Sequence, residues 1–215
     1  MLILLPPSEA KNQPISKVNV NLAKLVFPKE LIAIRSRLLT KALAAAPAAR
    51  AMDVYTGVLY QALDWNSLTP AAKAWGEKSV LITSAIFGVL RPSDLIPNYK
   101  AKIKTSDWKT ALKPALDGLA ADLVIDCRSS TYVGVWQSPP ANTVAVRVFK
   151  KEKGKISVIT HLSKKYRGEL TRVLLKSGKP PKTPSELLAI AEKHFECKLQ
   201  KPTGNLPWYL DLIIS

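Results

Sequence analysis

Leu123-Val-Ile-Asp-Cys-Arg-Ser-Ser-Thr-Tyr132 holds the pattern on which the fold of this chain is read. Its apolar start, Leu123 to Asp126, reads as a buried strand that empties into a polar loop at Arg128 to Thr131. The same succession occurs twice upstream. Met1 to Leu5 is an apolar run ended by Pro6-Pro7, followed by a loop bearing Ser8, Glu9 and Lys11. Ser79-Val-Leu-Ile-Thr-Ser84 likewise runs into a stretch carrying Arg91, Asp94 and Tyr99. Three buried strands that each leave into polar residues predict a cleft beyond the strand ends, where ligands of open α/β sheets sit. Its candidate lining is Ser8, Glu9, Lys11, Ser84, Tyr99, Asp126, Arg128, Ser129 and Tyr132.

Helical signals separate these strands. Leu31, Ile34, Leu38 and Ala42 keep a helical period from Pro28, and Pro47 closes the alanine-rich tail. Thr69-Pro70 opens a short helix towards Trp75, and Ser106 to Trp108 opens another that is interrupted near Pro114. After the third strand, Val144, Val146 and Val148 alternate, Lys151-Glu-Lys-Gly-Lys155 supplies a turn, and Ile156 to Thr160 returns as the second arm of an antiparallel hairpin. A helix from Leu162 to Leu175 follows. The capping box Thr183-Pro-Ser-Glu186 starts a further helix to about His194, and Trp208 to Ile214 reads as a final strand. The whole predicts an α/β (α+β) fold: one compact domain over residues 1–215, with a mixed sheet flanked by helices.

Composition narrows the class. At 215 residues and 47% hydrophobic the chain can bury a large core, and no apolar run approaches the roughly 20 residues of a spanning helix. Met1 to Leu5 is too short and lacks the basic flank of a signal peptide, so a cytoplasmic protein with no membrane association is expected. Two cysteines and two histidines make neither a disulfide framework nor a zinc site, so no metal and no cofactor is expected. A monomer is the expected state.

Charge is the strongest departure from the ordinary. Between Arg147 and Lys182 stand twelve Lys or Arg residues against Glu152 and Glu169, which is +10 of the chain's +16. Such a concentration repels itself unless a polyanion compensates it, and duplex DNA is the first candidate. A solvated basic face is the bland alternative.

Two further segments pose a choice. Phe87-Gly-Val-Leu-Arg-Pro-Ser-Asp-Leu95 reads either as a tight hairpin between helices, whose backbone N–H groups around Gly88 hold a phosphate, or as a loop fixed by an Arg91–Asp94 ion pair. In Asp53-Val-Tyr-Thr-Gly57, Tyr55 and Thr56 are donors to a ligand, or Asp53 caps the next helix. Cys127 reads as an inert core thiol. No Walker loop, G-x-G-x-x-G, G-x-S-x-G or H-E-x-x-H is present, so the standard enzyme signatures are lacking.

Taken in order, Leu2-Ile-Leu-Leu-Pro-Pro-Ser-Glu9, Asp53 to Gly57, Phe87 to Leu95 with Tyr99, Val124 to Tyr132, and Lys164-Lys-Tyr-Arg-Gly168 resemble the serial motifs of the YaaA family. The resemblance spans nearly the whole chain. It implies a cytoplasmic bacterial protein of the hydrogen peroxide stress response, with a basic cleft and a helix-hairpin-helix-like element that binds duplex DNA. The Gly88 to Arg91 turn matches the family's G-V-L-R-P core, and Lys164, Lys165 and Arg167 its K-K-x-R-G segment. Ala10 departs from the family, where many members carry glycine.

Two functions follow as expectations. The first is non-enzymatic duplex binding through backbone phosphates, with Gly88, Arg91, Lys150, Lys151, Lys153, Lys155, Lys164, Lys165, Arg167 and Arg172 as contacts. The second is an enzyme acting on a small anionic or nucleotide-like substrate. There Asp94 or Asp126 is acid/base, and Arg91 or Lys164 holds the anion.

Overall fold

Both faces of the central sheet are covered, which is why its strands read as unbroken apolar runs. A computed structural model describes residues 1–119, 121–152, 155–158 and 162–214. The chain begins with β1 (Leu2–Leu5), α1 (Pro28–Leu38), α2 (Lys41–Ala44), β2 (Ala48–Arg50), α3 (Ala51–Val54) and α4 (Val58–Leu63). It continues through α5 (Pro70–Ser79), β3 (Val80–Ser84), β4 (Gly88–Leu90), β5 (Leu95–Pro97), α6 (Thr105–Trp108), α7 (Leu112–Leu116), β6 (Val124–Asp126) and α8 (Ser130–Val133). The last third holds β7 (Thr143–Glu152), β8 (Lys155–Val158), α9 (Ser163–Lys176), α10 (Pro184–Ala191), β9 (Glu196–Gln200) and β10 (Trp208–Ile214).

One mixed, eight-stranded sheet runs in the order β4-β3-β1-β6-β7-β10-β9, with β8 paired to β7. Its centre, from β3 to β10, is parallel, and β4, β8 and β9 are antiparallel additions. Side chains alternate between two cores: Ile3 and Leu5 face α4 and α9, whereas Leu2 and Leu4 face Leu31 of α1, Trp108 of α6 and Leu112 of α7. The anticipated mixed α/β domain is therefore the observed one.

β1 hands the chain to β3 on one flank, the chain then crosses to β6 on the other flank, and β6 continues outward to β7. Loops leaving β1 and β6 thus part in opposite directions. Such a switch point opens a crevice beyond the carboxyl ends of the two strands.

Three local differences from the sequence reading have clear causes. The first helix stops at Leu38 because Leu39 turns extended and the Thr40 hydroxyl caps a new helix by accepting from the Leu43 N–H. The strand β9 went unread, since its exposed and half-buried residues alternate at a sheet edge. Finally, Gly88 to Leu90 is no hairpin between helices: it is a strand turned back on β3. Gly88 sits at φ +73, and a Cβ there would collide with the Trp108 ring, so the glycine serves packing.

Candidate functional site

The motifs meet at the switch-point crevice because side chains tie one loop to the next. Behind β1, the Ser8 hydroxyl accepts the Gly57 N–H at 2.8 Å, and the Tyr60 hydroxyl donates to the Pro6 carbonyl at 2.7 Å. A Cβ on Gly57 would run into Ser8 Oγ, so a side chain here would displace the hydroxyl that accepts the Gly57 N–H. Lys11 forms a bridge with Tyr55, and the Thr56 N–H donates to the Ala10 carbonyl at 3.1 Å. These backbone bonds do not require a left-handed residue 10, and alanine fits there.

Behind β3 lies a short chain of hydroxyls. Tyr99 OH stands 2.7 Å from Ser84 Oγ and 2.8 Å from Tyr55 OH, while the Phe87 N–H donates to Ser84 at 3.1 Å. Burial pushes the phenols of Tyr55, Tyr60 and Tyr99 up, so all are protonated donors. The Lys11 ammonium rides over this floor, 4.5 Å from the Tyr99 ring centroid and 5.6 Å from that of Tyr55.

Behind β6, Arg128 is a buried staple. Its guanidinium grips Asp126 twice, at 2.9 and 2.7 Å, and donates to the carbonyls of Tyr132 and Trp136. The loop so held presents Ser129, exposed, and Tyr132, half-buried. Burial pushes the Tyr132 phenol up to about 12, with Tyr99 and Glu9 close enough to add to the effect.

The basic helix α9 closes the arrangement. Arg167 donates to the carbonyls of Arg128 and Val146, at 3.2 and 3.0 Å. Gly168 lies against α4, where a Cβ would meet the carbonyl oxygen of Leu59. The first turn of α9, with Lys164 and Lys165 exposed, is thereby fastened beside the crevice.

Several anticipated site residues prove to be committed within the fold. Arg91 donates to the carbonyls of Lys78 and Val80 instead of pairing with the Asp94 side chain. Asp94 accepts the N–H groups of Arg91 and Val26, and burial pushes its carboxyl up against those donors. Asp53 pairs with Arg50 at 2.7 Å and does not cap α4. Arg172 donates to the carbonyls of Leu63 and Asp64 and so closes the end of α4. Arg147, counted in the basic stretch, grips Asp211 and stacks on Tyr209. Thr56 lines an adjoining hollow with Asn12, Tyr55, Tyr60 and Gln61.

The exposed remainder is lysine. Lys150 and Lys151 on β7 make only surface pairs with Glu152 and Glu196, and Lys165 one with Glu169. Lys164 forms no ion pair among the described residues. Lys153 lies outside those residues, as does the side chain of Lys155. A second group was missed in the sequence: Lys100, Lys102 and Lys104 are exposed while Ile103 packs into the core. Their alternation was the available signal. This strip leads into α6, where the Thr105 methyl approaches Gly134 at the end of the Arg128 loop.

A family model described as "Peroxide stress protein YaaA" matches residues 1–201. The chain belongs to the YaaA family of peroxide stress proteins. Among curated proteins, the UPF0246 protein SCO2297 of Streptomyces coelicolor is 30% identical over all of this chain and 98% of its own length. The UPF0246 protein CE1889 of Corynebacterium efficiens is 34% identical over 89% of this chain and 91% of its own. YaaA-family membership ties the chain to the oxidative stress response and draws attention to its thiols. Burial pushes Cys127 up to about 12 and Cys197 up to about 11, so neither is a thiolate at neutral pH. Native protein treated with peroxide is therefore expected to retain both free thiols, as mass spectrometry would record. Rapid formation of a sulfenic acid at Cys127 would contradict this assignment.

No described helix is long and apolar enough to cross a membrane.

Proposed function

We propose that this YaaA-family protein binds duplex DNA through backbone phosphates as its part in the peroxide stress response. The observation that supports the proposal is the fastening of α9 to the Arg128 loop by Arg167, which holds against that loop the helix whose first turn carries the exposed Lys164 and Lys165. Lys150 and Lys151, paired at the surface with Glu152 and Glu196, and the exposed Lys100, Lys102 and Lys104 are offered as further phosphate contacts. Exposed ammonium groups on flexible stems suit phosphates and carry no pattern that would read base edges.

The grip differs from the one expected. Arg91, Arg167 and Arg172 are engaged with backbone carbonyls, and Gly88 offers a strand instead of a phosphate-binding turn. Lysines therefore carry the proposed contact. Nor does the geometry favour Asp94 or Asp126 as acid/base: the first is occupied by two backbone donors, the second by a buried guanidinium.

The test is fluorescence anisotropy with two duplexes of unrelated sequence. Wild type is expected to bind both alike, and Lys164→Gln/Lys165→Gln to weaken both by about tenfold with an unchanged thermal midpoint, since exposed charges contribute little to folding. Unaltered binding by the double variant would overturn the assignment.

A further inference from the structure

We infer that the crevice between β1 and β6 is a phosphomonoester site anchored by the Lys11 ammonium, distinct from the lysine rim that meets duplex backbone. Lys11 is half-buried, yet among the described residues its ammonium makes neither a salt bridge nor a hydrogen bond. It is held over the Tyr99 ring in a place where ordinary solubility does not call for a lysine. Desolvation lowers its pKa, with only Glu9 opposing. A cation so placed gains from an anion that restores what burial removed.

The surrounding polar groups are rich in donors. Ser84, Tyr99 and Tyr55 form a buried hydroxyl cluster in which each group lies beside the other two, and it floors the crevice beneath Lys11. The hydroxyls of Ser129 and Tyr132 make no side-chain hydrogen bond among the described residues. Ammonium and hydroxyl donors with Glu9 as the nearby carboxylate favour a group that only accepts, and a terminal phosphate presents three such oxygens. The location is where an open α/β sheet takes its ligand.

Free mononucleotides and 5′-phosphorylated strand ends offer the same chemistry. Thermal midpoints would be measured with inorganic phosphate and with a nucleoside monophosphate, and duplex affinity with 5′-phosphate against 5′-hydroxyl ends. Wild type is expected to show either a nucleotide-dependent rise in midpoint, which marks the free ligand, or a preference for phosphorylated ends, which marks the strand terminus. In Lys11→Met, which keeps the apolar stem, that response should weaken by roughly tenfold or more, and Lys11→Arg should retain part of it. Tyr132→Phe should weaken it less and covers the case in which Lys11→Met fails to fold. Lys164→Gln/Lys165→Gln should lose duplex affinity while keeping the Lys11-dependent response to nucleotide, which separates this proposal from the DNA reading. The inference is overturned if wild type responds to neither probe, or if Lys11→Met and Tyr132→Phe respond as wild type does.

Discussion

Asp126→Asn is expected to cost about 3–5 kcal/mol of stability, because it leaves the Arg128 guanidinium buried without its countercharge. The pair is shielded from water, with side-chain exposures of 1% for Arg128 and 6% for Asp126. A single carboxylate answers the Arg128 N–H, Nε and Nη2, and the same guanidinium ties down the carbonyls of Tyr132 and Trp136. Losing it should free the loop that carries Ser129 and Tyr132 as well as lower the thermal midpoint, by roughly 2–4 °C for each kcal/mol in a chain of this size. Calorimetry is the check. A midpoint within a degree or two of wild type would mean that Asp126 is open to solvent and available for chemistry, contrary to the geometry.

The second large effect is expected at Gly168. Alanine there would push a methyl into the Leu59 carbonyl and the Ala62 side chain, and α9 would have to move off α4. Overpacking of this kind costs about 1–3 kcal/mol, and valine should cost more. Because Arg167 is the neighbouring residue, the displacement should also break its bonds to the Arg128 and Val146 carbonyls. Chemical denaturation of Gly168→Ala and Gly168→Val would show it as a lowered midpoint in that order. Two variants as stable as wild type would mean that the helices do not meet at this glycine.

What the sequence disclosed and what it hid divide along a physical line. The strands β1, β3 and β6 were legible because burial on both faces demands continuous apolar residues, and the loops behind them because polarity changes abruptly at Pro6, Ser84 and Arg128. Side-chain partners were not legible. A count of positive charge treats Lys164 and Arg172 alike, though one is exposed and the other closes α4. Arg35 went unread for the same reason. It lies four residues after Leu31 on the apolar stripe of α1, is fully buried, and donates to the Phe87 and Val89 carbonyls at 3.0 and 2.9 Å. An arginine breaking an apolar stripe was a signal that something inside needed a donor. Gly88 was ambiguous because a positive φ serves a turn and a tight strand contact equally, and only the Trp108 ring decides between them.

The central claim, that lysines around the crevice hold duplex phosphates, is tested most directly by the slope of log affinity against log salt. Each phosphate neutralised on duplex DNA contributes about −0.9 to that slope. Wild type is expected to lose affinity steeply as salt rises. The combined change of Lys150, Lys151, Lys164 and Lys165 to glutamine should make the slope shallower by about 3 to 4. Binding that ignores salt, or a fourfold variant whose slope equals that of wild type, would contradict the account.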